Sequence, residues 1–156
     1  MSIVKLNNKA VSNATAFGSI SSLGSMTFIK KLTASGSGTL SFVDGASGVV
    51  LDNSYKEYLF TFKNIHPATN NAKFQFNLST DGGSNYNVTK TTTFFQAYHA
   101  ENNNAAALGY STGNDLAQST SFQNISSEIS NQNDAHTSGT MTLFNPSSTV
   151  FTKHFM

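Results

Sequence analysis

From residue 25 onward, apolar and polar residues alternate with a period of two over most of the chain, the repeat of a β-strand with one face turned inward. Met26-Thr27-Phe28-Ile29 leads to Leu32 and a turn at Gly36 and Gly38. Leu40 and Phe42 then alternate with Thr39 and Ser41, which predicts a strand with both apolar side chains on one face. Asp44-Gly45 and Gly48 mark turns around Val49-Val50-Leu51. The strongest strand signal runs from Tyr55 to Ile65, with Tyr58, Phe60 and Phe62 on one face and Leu59, Thr61, Lys63 and Ile65 on the other. Pro67 ends it by lacking a backbone donor.

The same rhythm returns at Lys73 to Leu78, with Phe74, Phe76 and Leu78 inward and Lys73, Gln75 and Asn77 outward. Asp81-Gly82-Gly83-Ser84-Asn85 reads as a hairpin turn, because glycine takes positive φ without steric cost. A Thr- and Phe-rich return strand is predicted over Tyr86 to His99, followed by a polar insertion from Glu101 to Asp115. A strand over Ser119 to Ile129, a polar loop over Ser130 to Ser138, and a last hairpin complete the chain. That hairpin pairs Gly139–Phe144 with Thr149–Phe155 across Asn145-Pro146-Ser147-Ser148, a type I turn with proline at its second position. The one helix-compatible stretch, Asn104 to Leu108, is too short to stand alone. Roughly eight short strands separated by turn signals predict an all-β, antiparallel two-sheet sandwich of jelly-roll type over 25–156.

Residues 1–24 carry a weaker pattern and are predicted to form an extended N-terminal attachment arm. Ile3, Val4 and Leu6 alternate with polar neighbours, and Val11 and Phe17 follow among Asn, Ala, Ser and Gly. A free tail gains nothing from such hydrophobes, whereas an arm docked on a neighbour buries them.

Composition narrows the function. The 156 residues fit one domain, able to remove roughly two-thirds of the unfolded surface from water. Thirteen Phe and five Tyr are expected to fill the core. Cysteine is absent, so disulfides and thiolate metal sites play no part in the expected fold. Charged residues make up 11%, against about 25% in ordinary domains, and the formal net charge is +1. There is no Arg, and the Lys residues are scattered, so nucleic acid is not an expected partner. No apolar run approaches the ~20 residues that would cross a bilayer as a helix, and no membrane insertion is expected.

Catalytic chemistry finds little to work with. The eight acidic residues, Asp44, Asp52, Glu57, Asp81, Glu101, Asp115, Glu128 and Asp134, are dispersed, and several sit beside turn-forming residues. A glycosidase pair would need two carboxyls about 5–9.5 Å apart in one cleft. His66, His99, His136 and His154 lack metal-ligand spacing, and no Gly-x-Ser-x-Gly elbow occurs. The expectation is a non-enzyme with no metal and no cofactor. The insertion has a different character: Asn102, Asn103, Asn104, Tyr110 and Asn114 combine amides with an aromatic ring, the groups that bind a sugar by bidentate hydrogen bonds and stacking. The plainer account of these five is a polar surface loop.

The run Tyr55-Lys56-Glu57-Tyr58-Leu59-Phe60-Thr61-Phe62-Lys63-Asn64-Ile65-His66-Pro67-Ala68-Thr69, and then Ser79-Thr80-Asp81-Gly82-Gly83-Ser84-Asn85-Tyr86, resembles a β-domain of tail-fibre and other virion structural proteins of marine phages, those of cyanobacteria and other marine bacteria. Leu143-Phe144-Asn145-Pro146-Ser147-Ser148-Thr149 matches the same pattern, and Leu6-Asn7-Asn8-Lys9-Ala10-Val11 resembles its attachment segment. The family pattern continues past the strand corresponding to Thr149–Met156, which implies either more chain or a neighbour that completes the sheet. The resemblance transfers no catalytic residue. It implies a virion structural protein of a tail fibre or spike, homo-oligomeric and by analogy trimeric. Its partners would be other virion proteins and a host surface polysaccharide. A capsid decoration or head-fibre protein is the alternative within that class, and a free carbohydrate-binding module is the alternative outside it. Met1 to Ala10 lack the basic start and apolar stretch of a signal peptide. The expected history is therefore synthesis in the host cytoplasm and release by lysis as part of a virion, with the tail favoured over the capsid.

Overall fold

The computed structural model describes residues 26–156 and, among them, strands, turns and extended segments without a helix. The chain divides into two units at Lys31/Leu32. The predicted arm, with Ile3, Val4, Leu6, Val11 and Phe17, lies outside the described residues. Seven antiparallel strands follow in the second unit: β1 (Glu57–Ile65), β2 (Ala72–Phe76), β3 (Phe95–His99), β4 (Ala106–Tyr110), β5 (Gln123–Ile129), β6 (Thr137–Phe144) and β7 (His154–Phe155). They form three sheets, β1-β6-β7, β2-β5 and β3-β4.

The alternation in β1 does what its period demands. Tyr58 is buried, Phe60 and Phe62 are half-buried, and Leu59, Thr61 and Lys63 face solvent. Antiparallel pairing sets Tyr58 opposite Leu143 and Phe60 opposite Met141, and opposed residues share a face. Buried Leu143 and Met141 therefore join Tyr58 on the inner face. On the far side of β6, Leu143 pairs with Phe155 of β7. Near its end β1 bulges between Phe62 and Ile65, where Asn64 takes φ 53° and donates its backbone N–H to Ser138 Oγ at 3.0 Å.

Aromatic edges join the layers. Phe62 meets Phe74 of β2 at 4.9 Å between ring centroids, and Phe155 meets Phe76 at 4.8 Å, both T-shaped. Two sheets thus touch face to face through rings that the period-two pattern turned inward. Beside β2 in the same sheet, β5 carries two extra residues between the Lys73↔Glu128 and Gln75↔Asn124 pairs. Ser126 Oγ fills the resulting gap by accepting the Phe74 N–H at 3.0 Å.

Several predicted strands do not form. Met26–Ile29 and Thr39–Phe42 are not in strands, and Met26 and Phe28 are exposed. Phe42 still contributes to packing, through an edge contact with Phe60 at 5.6 Å. The return strand predicted over Tyr86 to His99 narrows to β3, and before it only an isolated bridge joins Lys90 to Ser119. Conversely, the polar insertion contains β4, and the helix-compatible Asn104–Leu108 supplies part of that strand. The last turn closes as expected, with Ser148 N–H donating to Asn145 O at 3.1 Å, but only His154–Phe155 of its second arm pairs with β6.

The Asp81 turn forms with Gly82 and Gly83 at φ 70° and 83°. A Cβ on Gly83 would stand 2.9 Å from Val43 Cγ2, so glycine is required there on two counts. Asp81 accepts from Ser79 Oγ at 2.6 Å, from Asn85 N–H at 2.9 Å and from Asn85 Nδ2 at 2.7 Å. The Ser79 hydroxyl and then Asn85 hold its carboxyl at about 2, below the ordinary 3.8. The folded state binds this proton less readily than the unfolded chain. Its stabilising contribution is complete above pH ~4 and is lost as pH falls toward 2. Asp81→Asn should therefore flatten the loss of stability between pH 4 and pH 2, measured by urea denaturation at each pH; an unchanged acid slope would remove Asp81 from this role.

Candidate functional site

β3 and β4 make a two-stranded hairpin whose directly opposed pairs are Phe95↔Tyr110, Ala97↔Leu108 and His99↔Ala106. Those six side chains share one face. It is apolar apart from His99 and the Tyr110 hydroxyl, and it stands open to solvent: Phe95 is 70% and Leu108 83% exposed. The opposite face is tied down, since Ser127 Oγ on β5 donates to Gln96 Oε1 at 3.1 Å. A lone two-stranded hairpin is marginal in water. This one is anchored through Gln96, while Tyr98, Ala107 and Gly109 on the same face are exposed, as is the apolar face.

The tip of the hairpin is a tight turn. Ala100 N–H donates to Ala105 O at 2.7 Å, Asn103 N–H donates to Ala100 O at 2.9 Å, and Asn103 itself takes φ 60°. Asn102 Oδ1 accepts the Asn104 N–H at 3.2 Å. Ala100, Glu101, Asn102 and Asn104 line a shallow depression there. The five residues singled out for sugar binding do not gather in it. Asn102, Asn103 and Asn104 sit at the tip, whereas Tyr110 ends β4 six residues further on, roughly 20 Å away along a strand. The Tyr110 ring packs edge-on against Phe95 at 5.3 Å, and its hydroxyl donates to Asp115 Oδ2 at 2.5 Å. That bond raises the Tyr110 pKa, with burial a smaller cause. Asn114 is committed as well: its Oδ1 accepts from Lys73 Nζ at 3.2 Å and from Asn124 Nδ2 at 2.7 Å, and its Nδ2 donates to Ser111 Oγ at 2.8 Å.

At the base of the hairpin lies a polar knot that the periodicity did not single out. Gln123 is only 3% exposed and uses its whole amide. Its Nε2 donates to Asn114 O at 2.9 Å and Asn124 O at 2.8 Å, and its Oε1 accepts from Thr92 Oγ1 at 2.5 Å. Lys90, 5% exposed, donates to the neutral oxygens Asn77 Oδ1 and Val88 O, and burial lowers its pKa. Asn77, expected to point outward, is half-buried and donates through Nδ2 to Tyr86 O at 2.6 Å and Thr120 O at 3.0 Å. One signal for this knot was present: the parity that turns Val88 and Phe94 inward also turns Lys90 and Thr92 inward. Among the described residues, no buried side-chain polar atom lacks a partner.

Asp44, Asp52 and His66 bond to backbone groups. Asp44 Oδ1 and Asp52 Oδ1 each accept a backbone N–H at 2.8 Å, from Leu51 and Ser54. The Ser54 bonds lower the Asp52 pKa. His66 Nδ1 donates to Ala135 O at 2.5 Å, beside Pro67. Among the described residues, no three His, Asp or Glu side chains converge as metal ligands, and no helix is long and apolar enough to cross a membrane. No protein-family model, curated protein or solved structure matches this chain.

Proposed function

We propose that this chain is a non-catalytic structural protein of a phage virion, a component of a tail fibre or spike that assembles through β-surfaces. The observation that carries the reading is the apolar, uncovered face of the β3-β4 hairpin, set on a thin core in which no described side chain is wholly buried. Apolar surface of this kind belongs to proteins completed by neighbours. At the hairpin base the side chains of Thr92 and Gln123, and those of Asn114 and Asn124, bond one another, which suits a contact role. The resemblance of Tyr55–Thr69 and Ser79–Tyr86 to marine phage β-domains supplies the virion setting. Ring contacts between β1-β6-β7 and β2-β5 support the jelly-roll sandwich expected of such a domain. In this reading the tip residues Asn102, Asn103 and Asn104 meet a host polysaccharide, and Tyr110 and Asn114 brace the hairpin that carries them.

The test is the composition of purified particles. Quantitative mass spectrometry should find the chain in tens of copies per virion, the stoichiometry of a fibre or spike. Hundreds of copies would make it a capsid decoration, and absence from particles would remove the virion reading altogether.

A further inference from the structure

β1 lies at the edge of its sheet, in the order β1-β6-β7, and the hydrogen-bond parity shows which of its groups face outward. Thr142 of β6 exchanges both backbone bonds with Met156, at 2.8 and 3.0 Å, so its N–H and C=O point toward β7. Bonded and non-bonded pairs alternate along an antiparallel ladder. Leu59, opposite Thr142, therefore turns its own N–H and C=O away from β6. Asn145 N–H donating to Lys56 O at 2.7 Å agrees, since it places the even-numbered residues on the β6 side. Glu57, Leu59, Thr61 and Lys63 thus present their backbone groups along the open edge and their side chains on the exposed face. Among the described residues, no other backbone bonds to them. An edge without proline that no described strand covers invites a further strand, and the bulge after Phe62 and the charges of Glu57 and Lys63 restrict which strand fits.

The order of charges along this edge identifies the strand that fits. We propose that β1 pairs antiparallel with β1 of a second copy of this chain, about a two-fold axis at Phe60, to make one continuous six-stranded sheet. In that register Glu57 stands opposite Lys63 of the second copy, and Lys63 opposite its Glu57. Leu59 faces Thr61 in both directions, and the four outward-bonding residues of each edge meet one another, as a ladder requires. Opposite charges directly across a strand pair stabilise it, and like charges destabilise it. Sliding the register by two residues sets Glu57 against Thr61 or Ile65 and leaves both charges without a counterpart. On the inner face, Tyr58 and Phe62 of each copy come opposite one another on either side of the paired Phe60 residues, which extends the aromatic layer across the axis. The contact rests on the reading of this chain as one that assembles through β-surfaces. Its two-fold symmetry gives a dimer in place of the trimer implied by the resemblance.

Charge reversal tests this directly, because both residues are exposed and far from the polar knot in sequence. Sedimentation equilibrium of the full chain should show a monomer–dimer equilibrium at low salt. Glu57→Lys and Lys63→Glu, each alone, should shift the dissociation constant upward at least tenfold, by setting like charges opposite one another twice. The double variant carrying both changes should recover the wild-type constant, and an equimolar mixture of the two single variants should form a mixed dimer. Circular dichroism of each variant should match the wild type. A wild-type monomer at all concentrations, single variants that associate like the wild type, or a double variant that stays dissociated would overturn the proposal. A salt-independent trimer would do the same and would assign assembly to another surface, such as the β3-β4 face. The dimer is read in solution, so its failure is separable from absence of the chain from virions.

Discussion

Replacing Tyr58 with alanine is expected to cost about 3–5 kcal/mol of folding stability, a large part of the roughly 5–15 kcal/mol that a domain possesses. Tyr58 is 4% exposed near the start of β1, opposite Leu143, so truncation opens a cavity between two strands that a sheet cannot readily close. The residue also fixes the preceding loop. Its hydroxyl donates to Asp52 O at 2.8 Å, and its ring packs edge-on with Tyr55 at 5.9 Å. Burial is the main reason its pKa lies above the usual tyrosine value, with the charges of Asp52 and Asp44 adding to it. Tyr58→Phe separates the two contributions: it keeps the ring and should cost only about 1 kcal/mol, the net worth of one hydrogen bond. Urea denaturation of the two variants checks both figures. Equal losses would mean that the hydroxyl, and not the packing, holds this corner.

Gln123→Leu should destabilise the chain by about 2–4 kcal/mol, although leucine is close in size and more apolar. The substitution strips Asn114 O and Asn124 O of a donor and Thr92 Oγ1 of its acceptor, in a place that water reaches poorly. Thr92 Oγ1 also accepts the Leu116 N–H at 2.9 Å, so the disturbance should spread to the 116–119 segment that bridges to Lys90. Hydrogen exchange at Lys90, Thr92 and Ser119 would register it as faster opening. A neutral or stabilising Gln123→Leu would mean that the knot is dispensable, as some buried polar groups are.

These two sites differ in how visible they were along the chain. Tyr58 belongs to an unbroken alternation, and nothing competes with that signal. Gln123 does not: its burial depends on bringing it together with Asn114 and with Thr92, the latter 31 residues away in the chain. The same cause explains Asn77. Alternation places it outward, but its amide bridges the carbonyls of Tyr86 and Thr120, standing in for backbone ladder bonds in a region where a longer strand was expected. Gln118, at φ 47°, interrupts that ladder from the other side. β4 was obscured for a local reason. Its alanines carry high helix propensity, and only capture by β3, beginning at the Ala100–Ala105 closure, settles them as a strand.

What sequence alone determined is the material of the fold. Period-two alternation, glycine- and asparagine-rich turns and the lack of any helical stripe suffice for antiparallel β-structure, because each strand's facing depends only on its own residues. Tertiary structure decided which strands found partners, which polar side chains went inside, and that Tyr110 is separated from the asparagines of the hairpin tip. Those outcomes depend on hydrogen bonds and ring contacts between residues far apart in the chain, where a bond is worth making only once its partner has been brought within about 3 Å.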